Sequence, residues 1–298
     1  MPDGAFRPSV PDAGRRPATS PNSRFRREGF EARQEAGFFR RRIIEGVPIT
    51  PPFTPTSQVP AMLLAAGRGS RMRPLTDHCP KPLLDLRGKP LMQWTLEALA
   101  RDGVRRVVVN TGWLGDQIPA CFADGAALGL DIAYSHETRD FGDALETAGG
   151  IARALPLLGE IFWVAAGDVY APDFVFEPAA VARFAAGDAL AHLWLVPNPP
   201  QHPRGDFYLG EDGTATSPDA ADPAPRLTYS TIGLYRAALF AAPWCDIPAG
   251  NPTGLAAPLA PLLRAAMAQG RVTAQHHDGR WADVGTPERL RQLQDSTP

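Results

Sequence analysis

An apolar run that breaks into a glycine turn sets the strongest limit on the fold. Ala61-Met62-Leu63-Leu64-Ala65-Ala66 passes directly into Gly67-Arg68-Gly69-Ser70-Arg71. The run reads as a buried strand, and the glycines read as the turn that leaves it. The same grammar repeats downstream. Leu91 to Asp102 places Leu91, Trp94, Leu96 and Leu99 at helical spacing and stops at Gly103, and Arg105 to Asn110 follows as a valine-rich strand. Asp116 to Phe122 reads as a short helix, Asp131 to Ser135 as a strand, Thr147 to Leu155 as a helix and Ile161 to Ala166 as a second buried strand ending at Gly167-Asp168. Apolar strands alternating with helices predict an α/β fold with a Rossmann-like, doubly wound, mostly parallel sheet.

The second half is less regular and predicts a smaller α+β portion. Ala191 to Val196, Arg226 to Tyr235 and Arg271 to His276 read as strands, Asp206 to Thr216 as a hairpin, and Ala257 to Gln269 as an amphipathic helix. A last helix starts at Pro287. No repeat of 20 to 50 residues follows the first half, so no C-terminal β-helix is expected.

Composition narrows the function. A net charge of −2 over 298 residues gives no basic field for nucleic acid, and a small polar ligand suits the balance better. Cys79, Cys121 and Cys245 are odd in number, far apart and without a C-x-x-C pair, which argues against a disulfide framework or structural zinc and for a reducing, cytoplasmic setting. His276-His277 is a poor metal pair, since neighbours on a strand point to opposite faces. No apolar run is long enough to cross a bilayer. Residues 1–58 stand apart. They are rich in Arg and Pro, lack lysine and show no apolar period, so they read as a disordered extension before a folded domain at 59–298. Glu28, Glu31 and Glu35 argue against a transit peptide there.

The chemistry starts at the glycine turn. Backbone N–H groups in such a turn approach phosphate oxygens closely, and Arg68, Arg71, Arg73 and Lys81 add positive charge around them. The spacing is neither a Walker A loop nor G-x-G-x-x-G, and an ordinary βα turn with a solvated basic rim also satisfies it. The longer pattern is more specific. Leu64-Ala65-Ala66-Gly67-Arg68-Gly69-Ser70-Arg71-Met72-Arg73-Pro74-Leu75-Thr76, followed by Pro80-Lys81-Pro82, resembles the signature L-A-A-G-x-G-x-R-x-x-P-x-T…P-K-P of the sugar-1-phosphate nucleotidyltransferases.

That resemblance covers roughly residues 61 to 295. It implies attack of a sugar 1-phosphate on the α-phosphate of an NTP with release of pyrophosphate. It assigns Ala65, Ala66, Gly67, Gly69, Arg71, Lys81, Asn110 and Gly149 to the nucleotide, and Arg71, Lys81 and Asp168 to catalysis. Cations placed in advance where two phosphates must meet lower the barrier set by like charge. The resemblance also assigns Asp168, at the end of a buried strand, and Asp283, in Trp281-Ala282-Asp283-Val284-Gly285-Thr286, to Mg²⁺. Two hard carboxylates with phosphate oxygens and water suit that ion. Taken singly, either aspartate also reads as a helix cap or turn residue.

Leu145-Glu146-Thr147-Ala148-Gly149-Gly150 resembles the base and sugar loop of the family; its alternative is a helix start. Glu146, Gly205, Asp206 and Thr231 are the expected sugar contacts, although Arg204-Gly205-Asp206-Phe207 also reads as a plain hairpin turn. Further stretches, Asn110 to Gly115, Leu145 to Gly150, Arg204 to Phe207 and Ala260 to Arg264, resemble a uridylyl-transferring branch, which implies UTP and N-acetylmuramate 1-phosphate. A guanylyltransferase acting on mannose 1-phosphate shares most of the signature. The family's E-K-P segment is missing, with Ala224-Pro225-Arg226-Leu227 in its place, so the acceptor stays open. Arg204 is the cation considered for a lactyl carboxylate. The presence of Lys81, Asp168 and Asp283 together favours an enzyme over a non-catalytic nucleotide sensor.

Overall fold

Strand β1 (Ala61–Ala65) lies mid-sheet, hydrogen-bonded on both edges, which is why its residues are almost all apolar. The structure is a computed structural model that describes residues 59–217 and 225–296. The extension expected at 1–58 lies outside the described residues.

In chain order β1 is followed by a small hairpin, β2 (Asp85–Leu86) and β3 (Lys89–Pro90), and by α1 (Leu91–Arg101). Then come β4 (Arg106–Thr111), α2 (Gln117–Phe122), β5 (Asp131–His136), α3 (Glu137–Phe141) and α4 (Glu146–Leu158). Next are β6 (Ile161–Ala166), β7 (Val169–Tyr170), α5 (Pro178–Ala186), β8 (Ala191–Val196), β9 (Tyr208–Leu209), β10 (Ala215–Thr216) and β11 (Thr228–Arg236). The chain ends with α6 (Leu259–Met267), β12 (Val272–His276), β13 (Ala282–Asp283) and α7 (Pro287–Asp295).

Seven strands form one sheet in the order β12-β8-β11-β6-β1-β4-β5. All neighbours run parallel except β11, which is antiparallel to both β6 and β8. The expected mostly parallel α/β sheet is therefore present. The second half adds to it, since β8, β11 and β12 extend the same sheet. Its α+β character comes from β11 and from the β9–β10 hairpin.

Strand alternation splits the core. Met62 and Val108 face α4 and α6, packing on Ala148, Ile151, Leu155 and Leu263. Leu63, Ala65, Val107 and Val109 face α1 and α2, packing on Leu96, Leu99, Ile118 and Phe122. A third cluster, with Met72, Leu86, Leu91, Tyr170, Val284 and Leu290, holds the β2–β3 hairpin, β7 and α7 together. Among the described residues no helix is long and apolar enough to cross a membrane. The three cysteines are free.

Sequence periodicity missed α5. In Pro178–Ala186 only Ala180 and Phe184 are buried, so its apolar stripe is two residues long. It also missed α3, whose single turn carries the buried Glu137.

Candidate active site

The carboxyl ends of β6, β1 and β4 lie side by side where the direction of strand order reverses, the place where open α/β sheets bind ligands. A cleft of 530 Å³ opens there. Its lining includes the expected Ala65, Ala66, Gly67, Gly69, Arg71, Lys81, Asn110, Glu146, Asp168 and Thr231. Gly149, Gly205, Asp206 and Asp283 are not part of the lining.

The signature residues brace one another. Gly69 has φ 64, and an added Cβ would stand 3.1 Å from both Lys81 Cβ and Thr76 Cγ2. A side chain there is strained by the backbone and crowded by both neighbours. Thr76 is fully buried, and its hydroxyl donates to the Gly69 carbonyl at 2.8 Å. Prolines 80 and 82 flank Lys81 in a one-turn 3-10 helix, Lys81–Leu83, which fixes the lysine stem. Lys81 is only 8% exposed, and its Nζ donates to Asp168 Oδ2 at 2.5 Å. Arg71 projects from an earlier 3-10 turn, Ser70–Met72, exposed at the cleft. Arg73 turns away to pair with Asp77 at 3.0 Å, so it is not a cleft cation.

Asn110, the last residue but one of β4, has its side chain already engaged. Its Oδ1 accepts the Ala65 N–H at 2.7 Å, and its Nδ2 donates to Glu137 Oε1 at 2.8 Å. Glu137 is completely buried, and its Oε2 accepts the Leu145 N–H at 2.7 Å. Burial pushes the Glu137 carboxyl above its ordinary value, partly offset by those two donors. This relay ties the end of β1 to the loop that opens α4, so Asn110 acts on the cleft chiefly by holding its walls. Sequence reading missed Glu137. The available signal was its position just past the carboxyl end of β5.

Gly149 and Gly150 are glycine for packing reasons. A Cβ on Gly150 would lie 2.4 Å from Glu137 Oε1, and one on Gly149 would lie 2.4 Å from the Leu255 carbonyl. The segment 251–257 covers this end of α4, since Asn251 Nδ2 donates to the Gly149 carbonyl at 3.0 Å.

Two non-glycine residues in the cleft wall hold left-handed backbone, Glu146 at φ 56 and Thr231 at φ 64. Such strain persists where surrounding structure enforces it, and it gathers at functional sites. Thr231 sits in a β-bulge, where the β11–β8 register shifts between Tyr229 and Gly233. Trp281 steadies the bulge by donating its indole N–H to the Ser230 carbonyl at 3.0 Å. Asp206 is spent on structure: Oδ2 accepts the Tyr229 N–H at 2.8 Å and Oδ1 meets His202 Nε2 at 3.0 Å. Gly205 has φ 63 and lies tight against the Arg226 backbone. Arg204 is not part of the cleft lining.

Asp168 stands in the turn just before β7, and Asp283 ends β13, which pairs with β7. Asp283 pairs with Val169, and the Val284 N–H donates to the Asp168 carbonyl at 3.1 Å. Asp283 Oδ2 accepts from Arg289 Nη1 at 2.5 Å, and Oδ1 accepts from Gln201 Nε2 at 2.6 Å. Among the described residues no three His, Cys, Asp or Glu side chains gather into a cage. Asp168 lines the cleft and Asp283 adjoins it through the β7–β13 pair, and two hard carboxylates so placed suit Mg²⁺, which takes few protein ligands and fills its shell with phosphate and water.

Comparison with known proteins agrees with this geometry. A profile of the nucleotidyl transferase family matches residues 60–217. The chain is similar to N-acetylmuramate alpha-1-phosphate uridylyltransferase of Neisseria meningitidis serogroup B, 48% identical over 236 residues, 78% of this chain and 96% of that protein. It is also similar to the protein of the same name from Caulobacter vibrioides, 34% identical over 252 residues, 78% of this chain and 95% of the other. In fold it is similar to a putative glucose-1-phosphate thymidylyltransferase from Bacillus anthracis, with TM-score 0.64 at 18% identity, covering 80% of this chain and 96% of that one. The chain belongs to the nucleotidyl transferase family.

Proposed function

We propose that the protein transfers UMP from UTP to N-acetylmuramate α-1-phosphate, releasing pyrophosphate and forming UDP-N-acetylmuramate for cell-wall recycling. The observation that carries this reading is the 48% identity to a uridylyltransferase of that name across nearly its whole length. The three free cysteines suit a cytoplasmic setting, and residues 59–298 are the catalytic domain, with 1–58 as an extension dispensable for the reaction.

A phosphate oxygen of the sugar bonds to the α-phosphorus of UTP as the bond to the β-phosphate oxygen breaks. The nucleophile is already ionised, so no general base is needed. The main-chain N–H groups of Gly67 and Gly69 hold the phosphate tail, and Arg71 adds a planar cation beside it. Lys81 balances charge where the two phosphates meet, and its contact with Asp168 fixes where its Nζ stands. Asp168 and Asp283 would hold Mg²⁺, which when bound offsets charge on the α-phosphate and the leaving pyrophosphate. The loop from Leu145 to Gly150 faces the base, while Glu146 and Thr231 offer polar groups to the sugar. Gly205 and Asp206 support that side by holding the loop before β9 against β11.

The test is pyrophosphate release with Mg²⁺ across UTP, dTTP, GTP, CTP and ATP. Each is paired with N-acetylmuramate, mannose, glucose and N-acetylglucosamine 1-phosphates. Turnover concentrated on UTP with N-acetylmuramate 1-phosphate, and lost in Asp168→Ala, is expected. Preference for another pair refutes the substrate assignment.

A further inference from the structure

The glycine turn carries a second arginine whose placement the reading above does not use. Arg68 lines the cleft, and its guanidinium carbon lies 3.2 Å from the centroid of the Trp113 ring. Trp113 is itself fixed, because its indole N–H donates to the Thr76 carbonyl at 2.9 Å. Thr76 in turn bonds Gly69. Arginine, indole and loop therefore form one braced unit. A guanidinium stacked on a ring keeps its N–H donors free in its own plane, so the stack orients the group without consuming its hydrogen bonds. Nη1 is buried and has no hydrogen-bond partner among the described residues. A desolvated cationic donor without an acceptor is costly, and an anion in the cleft removes that cost.

We propose that Arg68, presented by Trp113, binds the terminal phosphates of the NTP and holds the pyrophosphate as it leaves. The side of the sheet decides which phosphates. The base loop opens α4, which packs on the Met62 and Val108 face. Trp113 leads into α2, whose Ile118 and Phe122 pack on the opposite face with Leu63 and Val109. Lys81, on the β6 side of the glycine turn with Asp168, is placed for the α-phosphate. The part of a nucleotide that reaches Arg68 is then the end farthest from the base. This assignment rests on the nucleotidyltransferase reading, but not on which base or sugar is used.

The test is calorimetric titration of the whole protein with UMP, UDP, UTP and inorganic pyrophosphate, Mg²⁺ present throughout, for wild type, Arg68→Ala, Arg68→Lys and Trp113→Leu. Arg68→Ala is expected to weaken UTP and pyrophosphate by about 10- to 100-fold, the range for a charge-assisted contact, and to leave UMP within about 2-fold. Arg68→Lys keeps charge but not the planar stack, so it recovers only part of the loss. Trp113→Leu falls between Arg68→Ala and wild type. Equal weakening of UMP and UTP would mean that Arg68 only shapes the loop, and unchanged UTP binding would remove it from the site; either result overturns the proposal. If the wild type prefers another NTP, the same series with that nucleotide decides on Arg68, and only the base assignment fails.

Discussion

Replacing Glu137 with alanine strikes the relay that holds the cleft walls together. The carboxylate accepts two buried donors, the Leu145 N–H and Asn110 Nδ2, at 2.7 and 2.8 Å. Truncation strands both, at roughly 1–3 kcal/mol each. It also removes one buried methylene group, about 0.8 kcal/mol. Against this, a carboxyl raised by burial is unfavourable when ionised, and its removal returns part of that cost. The net loss is about 2–4 kcal/mol, for which a domain of this size loses roughly 5–15 °C in melting temperature. Urea unfolding at pH 7 measures it directly. Glu137→Gln keeps the shape and one acceptor, but its amide faces a donor, because Asn110 Oδ1 is already committed to Ala65. That variant is expected to fold and to show a raised KM for the NTP with a smaller stability loss. A Glu137→Ala protein within 1 kcal/mol of wild type would refute the view that this relay carries load.

Three further outcomes follow from other contacts. Gly112→Ala places a Cβ 2.1 Å from the Ala66 carbonyl oxygen, which no rotamer relieves, so a loss of about 1–3 kcal/mol and weaker NTP binding are expected in unfolding and titration assays. Arg87 donates to the Leu293 carbonyl at 3.0 Å and to the Ser296 carbonyl at 2.6 Å, closing the end of the helix that carries Arg289 and so braces Asp283. Arg87→Ala should cost about 1–2 kcal/mol and raise hydrogen exchange across residues 287–296; unchanged exchange would contradict it. His136, His192 and His277 are each held below 6.5, with burial the largest cause. The unfolded chain therefore binds protons first. Their contribution is complete above pH 6.5 and is lost as pH falls below it, through their folded values. Glu137 has the opposite sign, so the clean comparison is wild type against His192→Gln. The variant should lose less stability between pH 7.5 and 5.5, and parallel losses would count against the assignment.

What the sequence made legible follows from how local each cause is. The run Ile161 to Ala166 reappears with the same bounds because a fully covered strand must be apolar throughout, and Ala191 to Val196 does so with the half-buried His192 as its one polar residue. The glycine turn, Lys81 and Asp168 stood out through the signature they resemble, and the fold brings them to one cleft. The β11 bulge was not readable, since it depends on how β11 is paired on each edge rather than on the identity of Thr231. Gly149 and Asp206 carry family motifs, yet the structure spends them on packing and hydrogen bonds that only the folded chain reveals. The Arg68–Trp113 stack joins residues 45 positions apart, beyond the reach of any local pattern.

The most direct test of the central claim follows the α-phosphate itself. Wild-type protein is incubated with UTP labelled at the α-phosphorus, N-acetylmuramate α-1-phosphate and Mg²⁺, and the products are separated by chromatography and mass spectrometry. Label recovered in UDP-N-acetylmuramate, with unlabelled pyrophosphate in equal amount and neither product formed by Lys81→Ala, is the expected result. Label remaining in UTP, or appearing only as UMP, would contradict transfer to the sugar phosphate.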